Sequence, residues 1–170
     1  MTTPAYRDAR GGDAAAVAAL ARRTFTDTFG HLYAPADLAL FLDRHTADAW
    51  AAEISDPAYA VRLVEADGAI VAYAKLGPPS LPFTPEHGAV ELRQLYVLSA
   101  FHGGGVAQAL MDWTIATARA RGAAALYLSV FIDNHRARRF YARYGFEEVG
   151  PYTFMVGTHE DEDIVMRLAL

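Results

Sequence analysis

Two segments of the sequence combine residue types that bind phosphate groups or move protons. The first segment is a run of three glycines between a predicted strand and a predicted helix. It consists of His102, Gly103, Gly104, Gly105, Val106 and Ala107. Glycines let a backbone approach a ligand closely, and the free N–H groups at a helix start favour negative charge. The segment predicts a phosphate-binding loop, with a plain glycine-rich turn as the alternative.

This loop does not fit two common nucleotide-binding motifs. A Walker A loop needs Lys and then Ser or Thr after its last glycine, where this chain has Val106 and Ala107. A Rossmann fingerprint has its glycines at other offsets and belongs to an early strand–helix unit, whereas this loop follows four predicted strands. A nucleoside triphosphatase of the Walker type is therefore excluded.

The second segment runs from Asn134 to Phe146 and predicts a capped helix that leads into a strand. Asn134 stands at the cap position. Tyr141 follows Ala137 by one helical turn and shares its face, so the phenol can point toward whatever lies beside the preceding strand. The alternative is that Tyr141 is an ordinary amphipathic core residue.

The predicted order of strands and helices around these two segments indicates one mixed α/β sheet. Strands are predicted at Ala5–Arg7, Ala60–Ala66, Ala69–Leu76, Val90–Leu98, Ala125–Phe131, Tyr152–Val156 and Ile164–Leu168. Helices are predicted to begin near Asp13, Pro35, Thr46, Val106 and Asn134. A proline-rich loop is predicted at Pro78, Pro79, Pro82 and Pro85. The order of elements predicts a single domain over residues 1–170.

Composition and charge exclude several classes of protein. The chain carries 20 acidic and 15 basic residues, a net charge of -5, which argues against nucleic acid and anionic membranes as partners. It has no cysteine, so disulfides, thiolate metal sites and a cysteine nucleophile are excluded. Its six histidines lack metal-ligand spacing, so we expect no metal. We expect no signal peptide and no membrane span, and therefore a cytoplasmic protein.

Together the two segments resemble the GNAT superfamily of acyl-CoA-dependent N-acyltransferases. The family's loop pattern is Gln/Arg-x-x-Gly-x-Gly/Ala; Gly105 and Ala107 match its last two positions, and His102 replaces the usual Gln or Arg. The family's Asn-x-x-Ala-x-x-Phe/Leu-Tyr-x-x-x-Gly-Phe pattern is matched in full. The matching residues are Asn134, Ala137, Phe140, Tyr141, Gly145 and Phe146. The element order fits as well, so the resemblance covers nearly the whole chain.

The resemblance implies a GNAT fold that binds acetyl-CoA. The fold is a mixed, mostly antiparallel sheet of about seven strands, flanked by helices and splayed between the fourth and fifth strands. The pantetheine arm would fill the gap as a pseudo-strand against the backbone of Leu95, Tyr96 and Val97, where an N–H group is expected to hold the thioester oxygen. The pyrophosphate would lie on residues 103–107, and Asn134 would contact the pantetheine or phosphate region.

The implied reaction is direct acetyl transfer to the primary amine of a small molecule. An alkylamine is mostly protonated at neutral pH, so a base must remove that proton. Glu91 stands where many relatives carry such a carboxylate, and the alternative is a solvent-exposed charge at a strand end. Tyr141 matches the family's general acid, which protonates the departing CoA thiolate. Without a cysteine nucleophile, transfer in a ternary complex is expected.

Within the superfamily, the chain is most similar to bacterial polyamine acetyltransferases of the spermidine/spermine type. The similar pieces are Thr24–Phe29, Met155–Gly157 and Ile164–Met166. The residues that this resemblance places at the acceptor site are Phe25, Asp27, His31 and Tyr33, with core packing or a solvated role as the alternative for each. The acidic run 159–163 predicts a solvated turn, with attraction of a polycation as the alternative.

Two other functions stay open at this point. A protein N-terminal or lysine acetyltransferase would need an open peptide groove. A non-catalytic acyl-CoA-binding module is disfavoured because Tyr141 and Glu91 are both present. Since many relatives are dimers, the resemblance also predicts a homodimer.

Overall fold

Seven strands form one mixed sheet in the computed structural model, which describes residues 2–82 and 86–170. The strands are β1 Ala5–Asp8, β2 Ala60–Ala66, β3 Ala69–Gly77, β4 Val90–Val97, β5 Ala125–Phe131, β6 Glu147–Val156 and β7 His159–Ala169. Their spatial order is β1-β2-β3-β4-β5-β7-β6, and only the β4–β5 pair is parallel. The predicted fold class is thereby confirmed. Pro85, which the sequence assigns to a loop, lies outside the described residues.

Within the described residues, five α-helices flank the sheet. They are α1 Ala14–Phe29, α2 Pro35–Leu42, α3 Ala47–Ser55, α4 Val106–Ala120 and α5 His135–Arg143. The Oγ1 atom of Thr46 accepts a hydrogen bond from the Ala49 N–H of α3 (3.1 Å), and Oδ1 of Asn134 accepts one from the Ala137 N–H of α5 (3.3 Å). These side chains satisfy backbone donors that a helix start leaves without partners. In the described residues, no helix is both long and apolar enough to cross a membrane.

The helices cover the two faces of the sheet with separate apolar clusters. On one face, Leu110 and Met111 of α4 are fully buried against strand residues such as Leu126. On the other face, Val17 of α1 and Trp50 of α3 pack with side chains of β2 and β3. Burying both faces removes a large apolar area from water, and the sheet is thereby held as a rigid support for the loops at its edge.

The parallel strands β4 and β5 diverge after a short paired stretch. They pair only at Val90–Leu126 and Glu91–Tyr127. Beyond these residues β4 continues to pair with β3, and β5 continues to pair with β7. The backbone edges that face each other are therefore left unpaired within the described residues, and a gap opens between the two strands. The predicted separation of the fourth and fifth strands is therefore observed.

The last two strands are longer than the sequence indicates, and one prediction about them is wrong. Residues 159–163 belong to β7 and not to a solvated turn. The turn between β6 and β7 is formed by Gly157 and Thr158. Asp37 of α2 binds this turn, because its carboxylate accepts a hydrogen bond from the Thr158 N–H (2.8 Å). Because side chains alternate along a strand, Asp161 and Asp163 are buried while the glutamates next to them are exposed.

Candidate active site

A cavity of about 840 Å³ lies where β4 and β5 diverge. One end is lined by the glycine loop and the first turn of α4. The other end is lined by aromatic and acidic side chains. These include Phe25, Tyr33, Phe41, Tyr152, Glu91, Asp161 and Asp163. The cavity thus joins a phosphate-binding element to an acidic, aromatic chamber across the gap in the sheet.

The glycine loop presents free backbone donors to the cavity. Gly103 and Gly105 have φ values of +78° and +83°, a left-handed conformation that glycine adopts without strain. Gly105 is the N-cap of α4, and its carbonyl accepts the first helical hydrogen bond from the Ala109 N–H (3.0 Å). The N–H groups of the intervening first turn have no partner within the helix, and with the helix dipole they can bind an anionic group.

The imidazole of His102 ties this loop to β4 and α5. Its Nε2 lies 2.8 Å from the carbonyl oxygen of Val97, and its Nδ1 lies 2.8 Å from a guanidinium nitrogen of Arg136. Because a guanidinium group only donates, we assign Nδ1 as the acceptor and Nε2–H as the donor to Val97. Both ring nitrogens of His102 are therefore hydrogen-bonded within the protein. The contact with His102 also places the charged guanidinium of Arg136 beside the glycine loop.

The edge of β4 can accept an extended ligand as an additional strand. Leu95, Tyr96 and Val97 pair with β3 on one side, while the side that faces β5 is unpaired in the described part of the chain. The register between β3 and β4 also shifts, since Lys75 lies opposite Gln94 while Leu76 lies opposite Leu92. Arg93 is the extra residue of this bulge, which turns the neighbouring backbone groups away from the regular ladder.

Tyr141 of α5 is held at the cavity wall by other aromatic rings. Its ring centroid lies 5.5 Å from that of Phe140 and 5.8 Å from that of Phe146. Burial raises the pKa of the Tyr141 phenol to about 12, so the hydroxyl keeps its proton at neutral pH. Asn134 also lines the cavity; its Oδ1 is used to cap α5, which leaves its amide N–H groups for a ligand.

Glu91 is a buried carboxylate, so it is not an exposed strand-end charge. It is 5% exposed, and one carboxylate oxygen accepts the backbone N–H of Ser80 at 2.8 Å. The guanidinium of Arg93 lies 3.4 Å from the other oxygen. Burial raises the pKa of Glu91, while the Ser80 hydrogen bonds and the Arg93 charge act against that rise.

The structure brings two of the four predicted acceptor-site residues into the cavity. Phe25 stacks between Phe41 and Tyr33, with centroid distances of 4.1 Å and 5.9 Å. Asp27 and His31 do not line the cavity, so their role at the acceptor site stays a prediction from the resemblance. Asp27 lies on the outer face of α1, where it pairs with Arg23 at 3.6 Å, and His31 is exposed in the turn that follows.

Sequence reasoning missed two cavity carboxylates, Asp161 and Asp163. Asp161 accepts a hydrogen bond from the Tyr33 hydroxyl and lies 3.2 Å from Nε2 of His159. Burial and the neighbouring Asp161 raise the pKa of Asp163 to about 7. The sequence did contain a pattern that could have identified them. Residues 159–163 lead directly into the apolar residues of the last strand, and if the strand is extended backwards every second acidic residue lies on the same face.

Lys75 is a further charged residue of the cavity wall that the sequence did not indicate. It is 6% exposed, pairs with Glu53 and lies 4.3 Å from the ring centroid of Trp50. Burial lowers the pKa of Lys75, and the Glu53 carboxylate opposes that effect. Within residues 2–82 and 86–170, no group of three His, Asp or Glu side chains could hold a metal ion.

Comparison with known proteins links this arrangement to acetyl transfer. The model of the acetyltransferase (GNAT) family matches residues 15–146. The chain is similar to an uncharacterized N-acetyltransferase of Mycobacterium tuberculosis, with 41% identity over 155 residues that cover 91% of this chain and 96% of the relative. An uncharacterized N-acetyltransferase of Lactobacillus delbrueckii subsp. lactis is 27% identical over 154 residues, covering 89% of each protein.

Solved structures share the fold. The PaiA N-acetyltransferase of Thermoplasma acidophilum, in complex with coenzyme A, superposes with a TM-score of 0.78 at 16% identity and covers 99% of both chains. YncA of Salmonella typhimurium, solved with acetyl-CoA, has a TM-score of 0.75 at 22% identity and covers 98% of this chain and 94% of its own.

Proposed function

Because this chain belongs to the acetyltransferase (GNAT) family, we propose that it transfers the acetyl group of acetyl-CoA to the primary amine of a small molecule. The chain is an N-acetyltransferase with acetyl-CoA as its donor. The proposal that the acceptor is a small amine is supported by the cavity between β4 and β5. This cavity runs from the glycine loop to a chamber with three buried carboxylates.

The residues at the donor end fit coenzyme A. The free N–H groups after Gly105 suit its pyrophosphate, and the unpaired edge at Leu95, Tyr96 and Val97 suits the amide-containing pantetheine arm. Asn134 would offer its amide N–H groups to the same arm or to the phosphates. Acetyl-CoA, when bound there, supplies a thioester carbonyl that an amine can attack.

Glu91 and Tyr141 are the proposed proton carriers. Glu91 would take the proton from the substrate ammonium group, directly or through water, so that the neutral amine can attack. The new C–N bond forms as the C–S bond breaks, and Tyr141 would give its proton to the departing thiolate. The nitrogen that has gained positive charge would then lose one proton, which restores the Tyr141 phenol directly or through water. A backbone N–H near the β4 bulge would stabilise the carbonyl oxygen as it gains negative charge.

Transfer is proposed to be direct, without an acetylated enzyme. The chain has no cysteine that could carry the acetyl group. Initial rates measured against both substrates should therefore give intersecting lines in double-reciprocal plots. Parallel lines would contradict direct transfer.

Polyamines are the acceptors that we propose to test first. This choice rests on the resemblance of Thr24–Phe29 and of the last two strands to polyamine acetyltransferases, and on the acidic chamber, which suits a cation. A cytoplasmic location and a homodimeric assembly likewise remain predictions from the resemblance.

The test is free-thiol release from acetyl-CoA over a panel of amines. The panel contains spermidine, spermine, short diamines, aminoglycosides, amino acids and peptides. Turnover on small alkylamines supports the proposal, and turnover confined to peptides would show a protein acetyltransferase instead. Acetyl-CoA binding without turnover on any amine, and without any effect of Tyr141→Phe, would show a non-catalytic binding module.

A further inference from the structure

Asp163 is a buried carboxylate that pairs with no cationic side chain in the described part of the chain. It is 7% exposed and lines the acceptor end of the cavity. None of the ion pairs among the described residues includes it, although the other two buried acids of the chamber each lie beside a basic side chain. Glu91 has Arg93, and Asp161 has His159. The hydroxyl of Ser129, on the adjacent strand β5, favours the charged form of Asp163 without neutralising it.

The groups that face Asp163 from the surrounding elements are acids and phenols. They are Asp161 on β7, Tyr152 on β6, Tyr96 on β4 and Tyr33 in the turn after α1. Burial and the charge of Asp161 disfavour the ionised state, which raises the pKa of Asp163 to about 7. An unneutralised carboxylate in this setting is costly to keep charged, so a bound cation would relieve it.

The three acids line the same chamber. Asp161 and Asp163 are two residues apart on one strand face, so their Cα atoms are separated by about 7 Å. Glu91, Tyr152 and Asp163 line the same cavity, and burial and the charges of both acids raise the pKa of the Tyr152 phenol while the Arg93 guanidinium opposes that rise. A short, flexible molecule whose reacting nitrogen lies near Glu91 can therefore place another group beside Asp163.

Building on the proposed function, we propose that Asp163, with Asp161 and the rings of Tyr33 and Tyr152, binds a second ammonium group of the acceptor, so that the enzyme selects diamines and polyamines over monoamines. The carboxylate supplies charge-assisted hydrogen bonds to this distal nitrogen. The aromatic rings add cation–π attraction to an ammonium group and pack against its methylene chain. This subsite selects the substrate and takes no part in proton transfer.

The experiment compares putrescine with n-pentylamine, in which a methyl group replaces one amino group. Binding to the CoA-saturated protein is measured by calorimetry, and kcat/KM is measured in parallel, for the wild type, Asp163→Asn and the control Glu91→Gln. Asp163→Asn should weaken putrescine binding about 10- to 100-fold, because a buried charge pair loses one partner. It should change n-pentylamine binding less than about twofold. Glu91→Gln should lower turnover of both amines alike.

A second measurement follows the binding affinity as a function of pH. Putrescine affinity should rise between about pH 6 and pH 8, because the bound cation stabilises the charged form of Asp163. The rise should be absent for n-pentylamine and in Asp163→Asn. Equal losses for both amines in Asp163→Asn would overturn the proposal and make Asp163 a proton acceptor for the reacting nitrogen; a pH-independent putrescine affinity would also overturn it. Calorimetry does not require turnover, so a lack of catalysis refutes the proposed function without deciding this subsite.

Discussion

The imidazole of His102 accepts a hydrogen bond from Arg136, with 2.8 Å between Nδ1 and the guanidinium nitrogen. The other ring nitrogen of His102 is bonded to the carbonyl oxygen of Val97. The family's motif places Gln or Arg at position 102, where this chain has His102, and α5 brings an arginine, Arg136, into contact with that histidine. The exposed guanidinium of Arg136 lines the cavity beside the glycine loop, where coenzyme A phosphates are proposed to bind.

Arg136→Met is expected to weaken coenzyme A binding about fivefold to tenfold, because a charge-assisted contact to phosphate is lost at a partly solvated site. Calorimetric titration with coenzyme A measures this effect. Arg139→Met is the matched control, since Arg139 is exposed on the same helix and does not line the cavity. Pantetheine, which carries no phosphate, should bind both variants and the wild type equally. An equal loss of pantetheine affinity in Arg136→Met would refute the phosphate contact.

Tyr141→Phe is expected to lower kcat by about 100-fold or more, because the thiolate loses its proton donor. The affinity for acetyl-CoA should stay within about twofold of the wild type, since the ring and its packing against Phe146 are retained. Tyr144→Phe is the control on the same helix; its hydroxyl donates to Asp112, and the residue does not line the cavity. Unchanged turnover in Tyr141→Phe would show that another group or water protonates the thiolate.

Glu91→Gln is expected to remove an acidic limb from the pH profile of kcat/KM. Burial raises the pKa of Glu91, so the carboxylate becomes protonated, and inactive as a base, at a higher pH than an ordinary glutamate. Wild-type activity should therefore fall as the pH decreases through this raised pKa. In Glu91→Gln the rate should be low and should follow only the ionisation of the amine.

The control for this profile is Glu65→Gln, since Glu65 pairs with Arg7 at 2.7 Å on β2 and does not line the cavity. Its profile should match that of the wild type. A profile of Glu91→Gln that keeps the wild-type limb would exclude Glu91 as the base.

Asp163→Asn is expected to stabilise the protein at alkaline pH. The pKa of Asp163 is raised from 3.8 to about 7 on folding, so the folded chain holds this proton more tightly than the unfolded chain. Stability from this group is complete below about pH 4 and is lost as the pH rises to about 7, a loss of roughly 2–4 kcal/mol.

Thermal unfolding of the amine-free protein measures the effect. Tm of Asp163→Asn should exceed that of the wild type by several degrees at about pH 8, and by clearly less at about pH 5. A variant that is destabilised equally at both pH values would contradict the raised pKa of Asp163 and show that its carboxyl group has a structural role that does not depend on pH.

The sequence by itself determined those features that depend on neighbours along the chain. The Asp67-Gly68 turn between β2 and β3, the left-handed Gly105 before α4 and the Asn134 cap of α5 all follow from short-range hydrogen bonds and backbone conformation. Such features need no knowledge of distant residues. For this reason the element order, and with it the resemblance to a family fold, could be predicted.

Only the tertiary structure decided which side chains meet in the cavity. The contact between His102 and Arg136 joins residues 34 positions apart, and the hydrogen bond between Tyr33 and Asp161 joins residues 128 positions apart. Phe25 lines the cavity and Asp27 does not, because the face of α1 that packs inward depends on the neighbours that it meets. Asp163 was missed because the strand face that lines the cavity depends on the registers of β5, β6 and β7, which are determined by pairing and packing across the whole sheet.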